Sequence, residues 1–326
     1  MNNTTKLIIP ELNVTAAEVE EQMTNELISL ILGIPIFIEN SLAIFILSKC
    51  QKLMYQVKYL SLNLCLADCL TGLMLVVPRA VFEYVFFCKF KKYFNLVAII
   101  SSILTATAIN VDRSMSIYLN MRYTQIITKR LVRNSCLATW IISLPLTYAV
   151  FWTPEGHFGI ECTSRPQYTR QAPNLTARII LQTTFVCNIF LFAYMMRFAR
   201  KIKPAIQDNV HHSQSETTKM LKKILAVSGC LFVFVSPVLI MRDVETYFPL
   251  SSIVQRIRSV TEFLVISKSF INPLLYIWTF YEVKYQIKTI LFFWSPKRLE
   301  KFDQRRKQHF SSFEISTVQK RSEVMS

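Results

Sequence analysis

Polar and apolar positions in this chain separate on the scale of whole helices. Seven stretches, at 27–48, 58–80, 93–118, 134–153, 177–199, 221–241 and 254–280, are almost free of charge. Each reaches the roughly 18–25 residues an apolar helix needs to cross a hydrocarbon core about 30 Å thick. In lipid a single segment is viable only if it satisfies its own backbone hydrogen bonds, and a helix does that. The pattern predicts an all-α membrane protein with a seven-helix body over 27–281. Residues 1–26 are acidic and polar, and lack a basic stretch leading into a short apolar core and a small-residue cleavage site. The expectation is an extracellular N-terminus without a removable leader, the first span acting as its own insertion signal. Beyond about Lys297 the chain is polar and charged (KRLEKFDQRRKQ), which predicts a disordered tail over 297–326.

Charge decides which way the bundle faces. The loops after spans one, three and five, together with the tail, hold 24 of the 37 Lys and Arg against seven acids. The N-terminus and the other three loops hold 11 basic and 10 acidic residues. Basic residues gather on the cytoplasmic side, so the N-terminus lies outside and the tail in the cytosol. The net charge of +16 then belongs to a face beside anionic lipid and does not predict a nucleic-acid partner. Sequons at Asn2, Asn3, Asn13 and Asn174 all fall on the extracellular side and are candidate glycosylation sites. Of the eight cysteines only Cys88 and Cys162 face the oxidising compartment, which makes them the natural disulfide pair. The other six lie in spans or, for Cys50, just inside the first; they read as packing residues or free thiols.

One stretch breaks the separation of charge from apolar surface. In INVDRSMSIYLNMRY, residues 109–123, an Asp-Arg pair ends an apolar run. Asp112 lies 24 residues after Cys88, or roughly 36 Å along a helix, which is one membrane thickness plus interface. The pair therefore marks the inner water boundary. This layout resembles the rhodopsin-like (class A) G-protein-coupled receptors over all seven spans. Asn40 in ENSLAIFILSK matches the family's Asn in the first span. Asn63, Leu64, Ala67 and Asp68 in NLCLADCL match the second, and Trp140 the lone Trp of the fourth. Asn272, Pro273 and Tyr276 in FINPLLY match the Asn-Pro-x-x-Tyr of the seventh, and Tyr194 the fifth-span Tyr. Ser114 replaces the Tyr after Asp-Arg, Val235 the usual Trp before Pro237, and Val186 a usual Pro; Glu39 replaces a small residue.

The resemblance implies roles. Asp112 holds Arg113 until the sixth helix swings out about its Pro237 hinge, and Tyr194 and Tyr276 bridge through water in the open state. Thr217 stands where some members carry an acid that locks the sixth helix to Arg113, which implies basal activity. Asn40, Asp68, Ser102, Lys268 and Asn272 form a polar network in the helix core. In many members that Asp binds sodium; here Lys268, one turn outward from Asn272, is expected to replace the ion through a salt bridge to Asp68, with Glu39 the alternative partner. The ligand pocket lies among the outer helix halves, with Arg79, Glu83, Asn95, Arg242, Arg258 and Glu262 as candidate lining residues. Asn95 stands where amine receptors carry an Asp, so the mixed charges fit a peptide or a small polar or anionic molecule. Arg79–Glu83 and Arg258–Glu262 are also i,i+4 pairs that can satisfy each other, and both readings stay open. A short amphipathic membrane-surface helix is implied over 282–296. Heterotrimeric G protein is the implied partner, with arrestin and a receptor kinase beyond it, at the plasma membrane.

Enzymatic chemistry finds little support. The four His, at 157, 211, 212 and 309, form no ligand-spaced cluster, and five Gly cannot build a phosphate loop. No cofactor is expected. Two rivals to a ligand-activated receptor remain: a retinal photoreceptor, which needs a Schiff-base Lys where Ile266 stands, and a transport protein, which the absence of inverted halves disfavours.

Overall fold

The computed structural model describes residues 16–77, 85–119, 122–151, 175–207, 229, 232–241, 243–244 and 252–308. These form α1 (Ala16–Lys49), α2 (Tyr55–Val76), α3 (Val85–Leu119), the short α4 (Tyr123–Ile126), α5 (Lys129–Phe151), α6 (Leu175–Gln207), α7 (Phe232–Met241), α8 (Ser252–Thr279) and α9 (Tyr281–Leu291). A further helix, α10, covers 296–308. No strand occurs among the described residues.

Stretches within α1, α2, α3, α6 and α8 are long and apolar enough to cross a membrane, and α7 is a shorter apolar helix. At 23 residues α5 has the length, but it begins five residues before the expected 134 and takes Lys129, Arg130 and Arg133 into its first turns. Burial is inverted relative to a water-soluble protein. Among the described residues as many polar as apolar side chains are buried, while Phe190, Ile141 and Val233 are each more than 60% exposed. Apolar side chains face outward where lipid replaces water, and polar groups turn inward to find partners.

The packing follows. α2 lies between α1 and α3, α3 also touches α5 and α6, and α8 closes against α1 and α2. Close approach of α1 to α2 depends on two glycines. A Cβ at Gly72 would stand 2.6 Å from the Phe37 nitrogen, and one at Gly33 would stand 2.8 Å from the Leu75 Cβ. Small residues let helices approach in lipid, where dispersion contacts must supply the attraction. Asn63 ties three helices together: its Nδ2 donates to Thr105 (2.7 Å) and Thr139 (3.1 Å), and its Oδ1 accepts from the Trp140 indole (2.9 Å).

Two expectations change at the cytoplasmic end. The membrane-surface helix expected over 282–296 ends at Leu291. The tail expected to be disordered from 297 is helical through 308. Composition gives α10 no apolar stripe of its own, but Phe302 packs 5.8 Å from the Phe292 ring and Arg306 pairs with Glu282.

Candidate functional site

Asn40, Asp68, Ser102, Lys268 and Asn272 lie together in the helix core, linked by hydrogen bonds directly or through Ser269. The Asp68 carboxylate is fully buried and accepts from Ser102 (2.7 Å) and Ser269 (2.8 Å) on Oδ1 and from Asn272 (2.6 Å) on Oδ2. These donors come from α3 and α8, so one anion joins three helices. Asn40 brings in α1: its Nδ2 donates to the Ser269 carbonyl at 3.1 Å and to the Ile36 carbonyl at 2.9 Å. Ser269, next to Lys268, is the member the sequence patterns do not single out.

Lys268 requires a correction. Its Nζ donates to Ser102 Oγ at 2.5 Å, and Ser102 in turn donates to Asp68. The expected direct salt bridge is absent; a hydroxyl stands between ammonium and carboxylate. Lys268 is one turn outward of Asn272, so its Nζ meets Ser102 first, while Ser269 and Asn272 already occupy the carboxylate. Glu39, the alternative partner, keeps a buried Oε1 without a hydrogen bond. The donor set does not fit a sodium ion. Such an ion would share Ser102 with an ammonium 2.5 Å from that oxygen, at a full like-charge penalty in a buried site. No group of three or more His, Cys, Asp or Glu among the described residues could hold a metal ion either.

At the inner boundary the Asp-Arg pair is formed. Arg113 Nε donates to Asp112 Oδ2 at 2.9 Å, and a second guanidinium nitrogen contacts the same oxygen. Both residues are only 7% exposed. The other carboxylate oxygen accepts from the Tyr123 hydroxyl at 2.5 Å, so α4 helps to hold Asp112. Burial, then this bond to Asp112, raises the Tyr123 pKa, and the phenol stays a donor at neutral pH. Sequence reading does not flag Tyr123; its place eleven residues after Asp112, across a turn, is the signal that was there. Ser114, standing where the family has Tyr, is buried with its hydroxyl unbonded.

Tyr276 and Tyr194 are not joined by a hydrogen bond. Tyr276 packs with Leu47, Leu64 and Val283, whereas Tyr194 is 40% exposed on α6. Pro237 lies in α7, and Ser236 Oγ donates back to the Phe232 carbonyl at 2.5 Å. A proline breaks the helix ladder at that turn, and an adjacent back-bonding serine favours a bend. Val235, in place of the Trp, is 1% exposed.

The outer pocket is only partly within the described residues. Asn95 is half-buried on α3, with its Oδ1 unbonded. Arg258 Nε pairs with Glu262 Oε1 at 3.0 Å, so for this couple the self-pairing exists. Arg79, Glu83, Arg242 and Thr217 lie outside the described residues, as do the four sequons, Cys162 and the side chain of Cys88.

The comparisons with known proteins bear on the same features. The profile of the family described as "7 transmembrane receptor (rhodopsin family)" matches residues 39–276. That interval begins beside Asn40 and ends on Tyr276, the first and last of the landmark residues. The alpha-1A adrenergic receptor of Oryzias latipes is 22% identical over 337 aligned positions, covering 89% of this chain and 70% of that receptor.

Proposed function

The chain belongs to the rhodopsin family of seven-transmembrane receptors, and from that premise we propose that it is a ligand-activated receptor of the plasma membrane that promotes nucleotide exchange on a heterotrimeric G protein. Members of this family are receptors and not enzymes, which agrees with the sequence. The observation that carries the coupling is the Arg113–Asp112 pair, buried at the cytoplasmic end of α3. A buried arginine with one carboxylate partner, itself steadied by Tyr123, is a group stored in a closed position. Removing the partner of a buried charge costs about 3–5 kcal/mol, so release requires the helix ends to move and offer Arg113 another acceptor. An incoming G protein supplies such an acceptor. Arrestin and a receptor kinase would follow at the same face.

Pocket chemistry directs the ligand class. One relative is named an adrenergic receptor, but Asn95 here offers no carboxylate where amine receptors of the family carry one. A peptide or a small polar or anionic molecule is therefore the favoured ligand, read by Asn95 and the charged residues at the helix tops. The test is a panel of peptides, carboxylates, phosphates and catecholamines, read by G-protein subunit dissociation in cells. A response confined to catecholamines overturns the ligand reading and leaves the receptor reading standing. Light-dependent activation after adding retinal would overturn both.

A further inference from the structure

Three polar side chains between α3 and α6 have no part in the sites described above. Thr107 and Asn110 lie one turn apart on α3, and Asn188 faces them from α6. Asn110 Nδ2 donates to Asn188 Oδ1 at 2.8 Å. Asn188 Nδ2 donates to Thr107 Oγ1 at 2.9 Å and to the Thr184 carbonyl, one turn back on its own helix, at 2.8 Å. Thr107 in turn donates to the Ile103 carbonyl at 2.9 Å. Asn188 is 0% exposed and Asn110 1%. Both donors of the Asn188 amide and its oxygen are therefore taken by protein groups.

The bridge stands at a junction of three helices. Asn110 precedes Arg113 by one turn of α3. On α6, Asn188 is flanked a turn to either side by Phe185 and Phe192, whose rings lie 5.6 Å and 5.1 Å from the Phe232 ring of α7. The same turns of α6 thus meet α7 through aromatic rings and α3 through an amide pair. α7 carries Pro237, five residues after Phe232. A buried amide that loses its partner bears the full desolvation penalty, so the α3–α6 contact is either bonded or parted, with little between.

We propose that Asn110 and Asn188 are positioning residues of the G-protein switch: their amide bridge holds α6, and α7 with it, against α3 in the closed state, and it parts as Arg113 is released. This inference rests on the receptor reading for what the switch drives. The two asparagines act through the placement of the helices and need not meet the G protein. Hydrogen bonds between membrane helices are individually modest, so loss of the bridge should raise the open population about three- to tenfold and leave most molecules closed.

Thermal stability and ligand-free guanine-nucleotide exchange, both measured on the full-length receptor in nanodiscs, separate this role from simple packing. Asn110→Leu and Asn188→Leu each leave one buried amide without its partner, and Tm should fall by several degrees in both. The double variant replaces the pair by two apolar groups of similar shape and should regain most of that loss. Its ligand-free exchange should nevertheless stay about three- to tenfold above that of the unmodified receptor. Exchange at the unmodified rate in the double variant would reduce the bridge to packing and overturn the proposal.

A second measurement keeps the proposal apart from the receptor reading. Tyr118 at the inner end of α3 is 75% exposed, and Arg200 on α6 is exposed too. Spin labels attached at these two positions through an inserted keto amino acid leave the native cysteines alone and report the α3–α6 separation without a G protein. In the double variant the share of molecules at a longer separation should rise about three- to tenfold. If the unmodified receptor accelerates exchange on no G protein, the receptor reading falls and this separation decides the bridge. An unchanged distribution of distances would overturn the bridge whatever the exchange assay gives.

Discussion

At the residue scale Lys268 is a charge in the helix core that the family pattern does not account for. An ammonium tethered to α8 cannot leave as a dissolved ion can, and it donates to Ser102, the same hydroxyl that donates to Asp68. Agonist affinity should therefore be unchanged when sodium replaces choline at constant ionic strength. Lys268→Asn should create sodium sensitivity, a loss of agonist affinity of about tenfold. Sodium sensitivity in the unmodified receptor would show that the ammonium does not fill the site. The family resemblance made Asp68, Ser102 and Asn272 neighbours, and helical spacing added Lys268, one turn from Asn272. Neither revealed that a hydroxyl would stand between the two charges, since that depends on side-chain reach across three helices. Cys50 shows a different limit. Burial, then the nearby Glu282 carboxylate, pushes its thiol up to about 11, yet nothing in the sequence around it distinguishes it from a reactive cysteine. Maleimide at pH 7 should leave Cys50 unlabelled in the folded protein, and rapid labelling would contradict that burial.

At the element scale the apolar runs told where helices lie but not how closely they approach or where they end. The α1–α2 crossing rests on Gly33 and Gly72, and in sequence these are two glycines inside apolar runs. Gly72→Leu would drive a side chain into the α1 backbone, and overpacking of this kind costs about 1–3 kcal/mol or more where backbone must move. Surface expression of Gly72→Leu should fall several-fold and the Tm of the solubilised receptor by several degrees. Normal values for both would mean that the helices stand farther apart. The start of α5 and the whole of α10 escaped the sequence because their residues are polar. α5 gains Lys129 and Arg130 as a cytoplasmic extension that needs no lipid. α10 is ordered by partners on α9, and composition does not show partners.

For the whole molecule, topology and family were legible and the working state was not. Basic loops, the inward-facing polar residues and the order of the landmarks all agree with a bundle whose α3 carries Arg113 at its cytoplasmic end. Cys88 begins that same helix on the outer side, and its pairing with Cys162 would tie α3 to the second outer loop. Closing a loop of that length stabilises by about 2–4 kcal/mol. Mass mapping of the unreduced protein should recover the two cysteines in one cross-linked peptide, and either one found as a free thiol would contradict the pairing. What the sequence could not supply is the part of the inner end in which Tyr123, on α4, holds the Asp112 that pairs with Arg113. That arrangement is the centre of the functional account, and its direct test is guanine-nucleotide exchange on purified heterotrimeric G proteins by the purified receptor, unmodified and as Arg113→Ala. The account predicts that the unmodified receptor accelerates exchange on at least one G-protein class. It predicts that Arg113→Ala, folded and present in equal amount, abolishes that acceleration. Undiminished exchange by Arg113→Ala would contradict it.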